Sequence, residues 1–256
     1  MWAVRPLLVF DSETVPDPDT ARRVLGDGDL SDEEALARVL PARADGQGFL
    51  KPLYQRVVAV AVAWIDETGD VRQFKPLDAA KGEGELLGAF WDGFARLVAA
   101  RPPARLVTFN GRGFDLPVFV QRGLIHGVSP AAWWNGDYRQ RFRDSHIDLM
   151  DVLRDYGSSP ALSQQEVATM LGLPGKLGVA GADVHALWRA GRLEDVAAYC
   201  ACDVATLTLS FARVGVHAGW LTEEERRRVE AGMRRELALL APTHPLYAAF
   251  LEALGA

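Results

Sequence analysis

A short apolar run near the N-terminus ends directly in two carboxylates, and this junction limits the folds open to the chain. Residues 7–10 read as a buried strand, and Asp11 and Glu13 follow in the sequence LLVFDSE. Side chains two apart on a strand point the same way, so both acids lie on one face. Burying two carboxylates side by side is unfavourable unless a cation or a proton compensates them. Taken alone, the pattern is also typical of a polar strand end that leads into a turn.

Patterns of apolar residues predict the elements that follow. Residues 57–65 and 71–74 are apolar or β-branched and flank a Thr-Gly-Asp turn, which predicts a hairpin. Helical spacing predicts a helix over 83–100, and residues 105–109 predict a short strand before a helix that begins near Phe114. This order favours one mixed α/β layer structure without a clear linker between two domains.

The remaining segments read as irregular or helical. Residues 16–48 are rich in proline, glycine and charge and read as an insertion with one helix. Three capping boxes indicate helix starts. Their pairs are Ser31 with Glu34, Ser163 with Glu166, and Thr222 with Glu225. Further helices are predicted over about 184–190, 193–214, 222–240 and 245–254.

Two more acids follow strand-like or helical segments. Asp115 opens the helix after the strand LVTF, where the helix dipole also favours a purely structural acid, and Asn110 suits a turn. Tyr199 and Asp203 are four apart and share one helix face. A boundary tyrosine and a solvated aspartate are the structural alternative for that pair.

In this order and spacing, FDxE, NGxxFDLPVF and YxxxD resemble the DEDDy exonucleases. These are ribonuclease H-like 3′→5′ exonucleases that include the proofreading domain of family-B DNA polymerases. The segments HIDLMDVL, LSQQEVATMLGLPGK and LEDVAAYCACDV are similar to a bacterial stand-alone family related to that domain. The resemblance covers about residues 7–214.

The resemblance implies an α/β, ribonuclease H-like fold. We expect a mixed central sheet, with three antiparallel strands first and parallel strands after them, flanked by helices. Residues 1–215 would form the exonuclease domain. Residues 216–256 would be a C-terminal helical extension packed on the same domain.

The resemblance also implies a site for two divalent ions, Mg²⁺ or Mn²⁺. Asp11 would bridge both ions, Glu13 and Asp203 would bind the ion on the side of the nucleophile, and Asp115 would serve the other. Tyr199 would orient the attacking water. Ligands that are all oxygen suit Mg²⁺ or Mn²⁺ better than zinc.

The implied reaction is hydrolysis of nucleotides from the 3′ end of single-stranded nucleic acid, with DNA favoured over RNA and nucleoside 5′-monophosphates as products. A role in DNA repair fits such an enzyme. The alternatives are a ribonuclease H-like endonuclease and a non-catalytic nucleic-acid-binding or polymerase-associated subunit.

Five residues are candidates for contact with the substrate: Asn110, Phe114, Arg141, Arg143 and Lys176. The two arginines follow a Trp-rich segment, and aromatic rings beside cations suit unpaired bases. The alternative is a loop held by buried tryptophan with exposed arginines, and Lys176 equally suits a solvated loop. Asp148 or Asp151 could add a fifth acid, although Asp148 also suits a helix cap.

Composition narrows the class of protein. The formal charge of −6 argues against a domain that coats nucleic acid by bulk electrostatics, but not against an enzyme whose metal ions meet the phosphate. The apolar runs look too short to cross a bilayer, and the N-terminus lacks the features of a signal peptide. Two cysteines, Cys200 and Cys202, suit neither a disulfide framework nor a zinc site, so we expect a cytoplasmic protein without a membrane partner.

Overall fold

The computed structural model describes residues 5–41, 49–100, 103–175 and 183–255. Its centre is a five-stranded sheet in the order β3-β2-β1-β4-β5. The strands are β1 Leu7–Pro16, β2 Gln55–Ile65, β3 Val71–Pro76, β4 Arg105–Thr108 and β5 His146–Asp148. The first three strands pair antiparallel, and β4 and β5 are parallel to β1 and to each other, which confirms the expected ribonuclease H-like sheet.

Eleven α-helices of the described ranges flank this sheet. They are α1 Pro18–Leu25, α2 Asp32–Val39, α3 Glu83–Ala99, α4 Asp115–His126, α5 Ala131–Asn135, α6 Leu149–Leu153, α7 Gln164–Met170, α8 Val184–Arg189, α9 Leu193–His217, α10 Glu223–Leu240 and α11 Pro245–Ala253. All three expected capping boxes form, at the starts of α2, α7 and α10.

Successive side chains of β1 point to opposite faces of the sheet and so belong to two separate layers of the core. Leu7 and Val9 face a layer built with α9, whereas Leu8 and Phe10 face a layer built with α3 and α4. The acids at 11 and 13 follow the first pair, so the sheet directs them towards α9.

Helix α9 is the central helix of its layer. Its length and composition would also suit a membrane span, contrary to the expectation that no run is long enough. However, 83% of its most apolar window is buried inside the protein, as in the core helix of a globular fold. The helix runs through residue 215, and α10 and α11 pack on it, so the expected division at 215/216 lies inside one helix. That division stays a prediction.

Several elements differ from expectation for local physical reasons. Strand β1 continues to Pro16 because its polar half still pairs with β2. Strand β5 has only three residues, too few to show a period of two. Helix α1 buries only Thr20 and Ala21, so its sequence carries no apolar stripe. These last two elements were not predicted.

A buried ion network joins the end of β1 to the helices on the α3 side. Arg122 on α4, only 2% exposed, pairs with Asp17 at 2.6 Å and with Glu83 at 2.6 Å. Burial raises the pKa of Asp17, but hydrogen bonds from Thr20 and Arg122 outweigh it and hold that pKa below its usual value. The charged form of Asp17 therefore stabilises the fold above the usual Asp pKa of about 4.

Replacement of Arg122 by Met tests this network. We expect the free energy of unfolding at pH 7 to fall by about 3–5 kcal/mol, because two carboxylates keep buried charges without their cation. The difference from the unsubstituted chain should shrink below pH ~4, since protonation of Asp17 removes the need for a partner. Urea unfolding at pH 7 and pH 3 measures both.

The exposed Arg38 of α2, which pairs with Asp27, provides the matched control. Arg38→Met should change stability by less than about 0.5 kcal/mol. An equal loss at both pH values in Arg122→Met would contradict the electrostatic explanation.

Candidate active site

Three carboxylates meet between β1 and α9. Oxygen atoms of Asp11, Glu13 and Asp203 all lie within 4.8 Å of one another, and the three side chains are half-buried. Opposite the two acids of β1, strand β2 carries Ala61 and Ala59, both fully buried. These small side chains leave room for the carboxylates under α9.

The cluster is electrostatically unfavourable without a cation. Burial raises the pKa of Asp11 well above its usual value, and the charges of Asp115, Asp203 and Glu13 raise it further. A bound divalent ion would reverse this effect by compensating the carboxylates. The donor set is oxygen alone, because the neighbouring Cys200 thiol donates to the backbone oxygen of Asp11 at 3.4 Å and burial raises its pKa. The residues therefore fit a hard ion such as Mg²⁺ or Mn²⁺.

Tyr199 lies one turn before Asp203 on α9 and is 3% exposed. Burial raises the pKa of its phenol, and the charges of Asp203 and Glu13 beside it raise it further. The hydroxyl therefore stays protonated at neutral pH. It can donate a hydrogen bond in this site.

Asp115 reaches the site from the other face of the sheet. It is the first residue of α4, is buried, and accepts a hydrogen bond from the Ser12 hydroxyl. Burial raises its pKa to about 6, although the bond from Ser12 opposes the rise. It lies outside the three-carboxylate group but close enough for its charge to raise the pKa of Asp11.

Sequence reasoning missed the role of Ser12. The signal was present, because a residue between Asp11 and Glu13 must point to the opposite face of the strand, where α4 begins.

The turn that delivers Asp115 is held by Asp148. This buried carboxylate accepts the backbone N–H of Asn110 at 2.8 Å and of Arg112 at 2.9 Å, and it caps α6. Asn110 adopts the left-handed conformation, with φ of 59°. At Gly111 a Cβ atom would lie 2.6 Å from the Thr108 side chain, so only glycine fits. Asp148 is thus a structural carboxylate that shapes the approach to α4.

The predicted substrate contacts are scattered. Phe114, at the start of α4, packs edge-on against Phe49 with ring centroids 5.4 Å apart. Arg141 binds both carboxylate oxygens of Asp151, at 3.0 and 2.7 Å. Asn110 shapes the turn described above, and Lys176 lies outside the described residues.

Arg143 lies in a different part of the molecule. It contacts Gln140 at 3.2 Å and lines a cavity with Arg5 and Asp144. That cavity adjoins the starts of β4 and β5, whereas the acids lie beyond the other ends of these two strands. The substrate roles of all five residues stay predictions.

The central strand of this sheet carries two carboxylates and α9 carries a third, which is an arrangement that suits phosphodiester hydrolysis with divalent ions. Residues 47–254 match a family described as "Predicted 3'-5' exonuclease related to the exonuclease domain of PolB", and the chain belongs to that family. The matched range includes Asp115, Tyr199, Asp203 and the C-terminal helices. It begins after Asp11 and Glu13, whose place in the site comes from the structure.

Solved structures with a similar fold include product-bound exonuclease I, with 15% identity, a TM-score of 0.41, and coverage of 75% of this chain and 45% of that one. Exonuclease I of E. coli in complex with a 5cy-dT13 oligonucleotide is 15% identical, with a TM-score of 0.38 and coverage of 75% of this chain and 42% of that one. The family B DNA polymerase of the archaeon Pyrobaculum calidifontis is 16% identical, with a TM-score of 0.49 and coverage of 93% of this chain and 29% of that one. The chain thus spans less than half the length of these proteins. A search among curated proteins finds no match.

Substitution of Ser12 tests its hold on Asp115. Ser12→Ala should weaken Mg²⁺ binding about tenfold, so that about tenfold more Mg²⁺ is needed for the same rise in melting temperature, since a hydrogen bond to a charged group contributes about 1.5–3 kcal/mol. Melting temperature against Mg²⁺ concentration measures this directly. Ser12→Thr, which keeps the hydroxyl, should stay close to the unsubstituted chain. Equal Mg²⁺ dependence in all three proteins would show that Ser12 does not position Asp115.

Proposed function

We propose that this protein is a DEDDy-type 3′→5′ exonuclease that uses two divalent ions, Mg²⁺ or Mn²⁺. The observation that carries the proposal is the group of three carboxylates on β1 and α9 with oxygen atoms within 4.8 Å. Asp115 behind the strand and Tyr199 on the same helix complete the five residues that the resemblance implies. The family match supports exonuclease activity, and the acid cluster supports use of a divalent metal.

Each residue contributes a separate task. When bound by these carboxylates, two ions would supply an activated water and would stabilise the leaving 3′-oxygen. Asp11, Glu13 and Asp203 provide the negative charge that retains the cations. Tyr199 donates a hydrogen bond that orients the attacking water. Asp115, which accepts a hydrogen bond from Ser12, would help to hold the second ion.

We infer a single-stranded substrate, with DNA favoured over RNA. The acid cluster is half-buried beneath α9, so a paired terminus would have to separate before its last phosphodiester could reach it. We further infer a cytoplasmic enzyme with a role in DNA repair. Both cysteines are buried and unpaired, which suits a reducing compartment.

Removal of a cluster carboxylate tests the activity. Asp11→Ala and Asp203→Ala should each lower mononucleotide release by at least about a hundredfold, because even losing an outer-shell partner of a metal ligand costs about 10–100-fold. The assay is digestion of 5′-end-labelled single-stranded DNA, RNA and mismatched duplex with Mg²⁺, Mn²⁺ or EDTA. Asp92→Ala, on the exposed face of α3, is the control and should keep full activity.

The products distinguish the alternatives. A ladder that shortens by single nucleotides from the 3′ end supports the proposal, whereas internal cuts would indicate an endonuclease. Binding without metal-dependent cleavage would indicate a non-catalytic subunit. Retained Mg²⁺-dependent cleavage in Asp203→Ala would overturn the assignment of the site.

Tyr199→Phe tests the water-orienting hydroxyl. We expect kcat to fall about 10- to 100-fold, which corresponds to the loss of one hydrogen bond to a charged group. The Mg²⁺-induced rise in melting temperature should stay unchanged, because the ring still packs between α9 and the sheet and the carboxylates remain. An unchanged kcat would show that the Tyr199 hydroxyl takes no part in the reaction.

A further inference from the structure

A second cavity lies beyond the end of β1, where the strand leaves the acid cluster. Its volume is about 430 Å³, and elements from both faces of the sheet line it. Arg23 of α1 and His126 of α4 stand on one side, and Trp188 of α8 on the other, with Arg56 at the start of β2. No step of the proposed hydrolysis uses this cavity.

Most of the charged side chains that line this cavity are paired with one another. Its two buried carboxylates, Asp17 and Glu83, are both compensated by Arg122. Asp19 at the rim is shared by Arg22 and Arg56, at 2.8 and 3.2 Å. Within the lining of the cavity, these three acids are paired with two arginines, Arg56 and Arg122.

Arg23 adds a further positive charge to this balance. It is exposed, and no ion pair with another described residue engages its guanidinium. Its guanidinium is thus left to contact a phosphate group.

Aromatic rings lie next to these cations. The Arg56 guanidinium stands 5.8 Å from the centre of the Trp188 ring. The rings of His185 and Trp188 stack 6.2 Å apart at 23°, on one face of α8. Flat rings beside guanidinium groups are the usual platform for unpaired bases.

The distance to the acid cluster fits a continuous strand of nucleic acid. Strand β1 runs from Glu13 almost to Asp17, and α8 packs along it. Four residues of extended chain span about 13 Å. That length equals about four stacked nucleotides at ~3.4 Å each.

We propose that this cavity binds the nucleotides on the 5′ side of the substrate strand whose 3′ end occupies the acid cluster. Arg23 and Arg56 contact the phosphodiester backbone, and Trp188 stacks on a base. The inference rests on the proposed exonuclease function and deepens it, because it makes the enzyme favour strands long enough to reach from the acids to the cavity.

Two substitutions separate the phosphate contact from the stacking contact. Arg23→Ala and Trp188→Leu are compared with Arg227→Ala, an exposed arginine of α10 that carries the same charge change. Binding of 5′-fluorescein oligo(dT) of ten nucleotides, of a labelled dinucleotide and of dTMP is measured by anisotropy or competition in EDTA at several salt concentrations. The kcat/KM for release of dTMP from both oligonucleotides is measured with Mg²⁺.

Arg23→Ala should weaken binding of the ten-nucleotide strand and reduce the slope of log affinity against log salt by about 0.7, the effect of one lost phosphate contact on a single strand. Trp188→Leu should weaken the same binding at least about fivefold without a change of slope. In both variants the kcat/KM advantage of the ten-nucleotide strand over the dinucleotide should fall, and in Arg227→Ala it should persist.

Other outcomes overturn the inference. An unchanged length preference in Arg23→Ala, with dTMP still released, would refute binding of the substrate strand in the cavity while leaving the exonuclease function intact. Equal weakening for dTMP and the ten-nucleotide strand would indicate a mononucleotide site instead. No dTMP release by the unsubstituted chain would refute the proposed function itself.

Discussion

Repulsion among half-buried carboxylates is the constraint around which the rest of the structure is arranged. Asp11 and Glu13 share one face of β1, and Asp203 meets them from α9. Burial and the neighbouring acids raise the pKa of Asp11, so the fold holds its acids in an unfavourable arrangement unless a cation compensates them. The surrounding elements must fix the carboxylates strongly enough to oppose this repulsion. Binding of a cation then releases the strain that the fold maintains.

The core layers on the two faces of the sheet each hold some of the carboxylates in place. On one side α9 fits closely over alanines of β2 and brings Tyr199 and Asp203 to the strand. On the other side α4 brings Asp115, which Ser12 ties to the same strand. Neighbouring positions of a strand point to opposite faces. Residues 11 and 13 of β1 therefore meet α9, whereas residue 12 meets α4. One strand therefore gathers side chains from two separate cores, and the loop held by Asp148 fixes where α4 begins.

The sequence predicts the parts of this arrangement that carry a period or a motif. The hairpin, the capped helices, the mixed sheet and the four acids were all visible in spacing or in the family resemblance. Ser12 and Asp148 were less visible, since their roles depend on long-range hydrogen bonds, Ser12 to Asp115 and Asp148 to the turn at Asn110. Strand β5 is too short, and helix α1 too polar, for the spacing of apolar residues to reveal them in the sequence. The separation of Arg143 from the acids likewise follows from topology, because it precedes a parallel strand whose other end points to the site.

The charge distribution explains how an acidic chain could work on a polyanion. The acid cluster attracts phosphate only when cations occupy it, so apo protein and nucleic acid repel each other at that point. The cavity beyond β1 is balanced in charge, but among its arginines Arg23 has no acidic partner within the described residues. A phosphate contact placed about 13 Å from the chemistry would hold a strand without competing with the cations for their ligands. Net charge therefore says little about substrate here, because contact with phosphate depends on a few local groups.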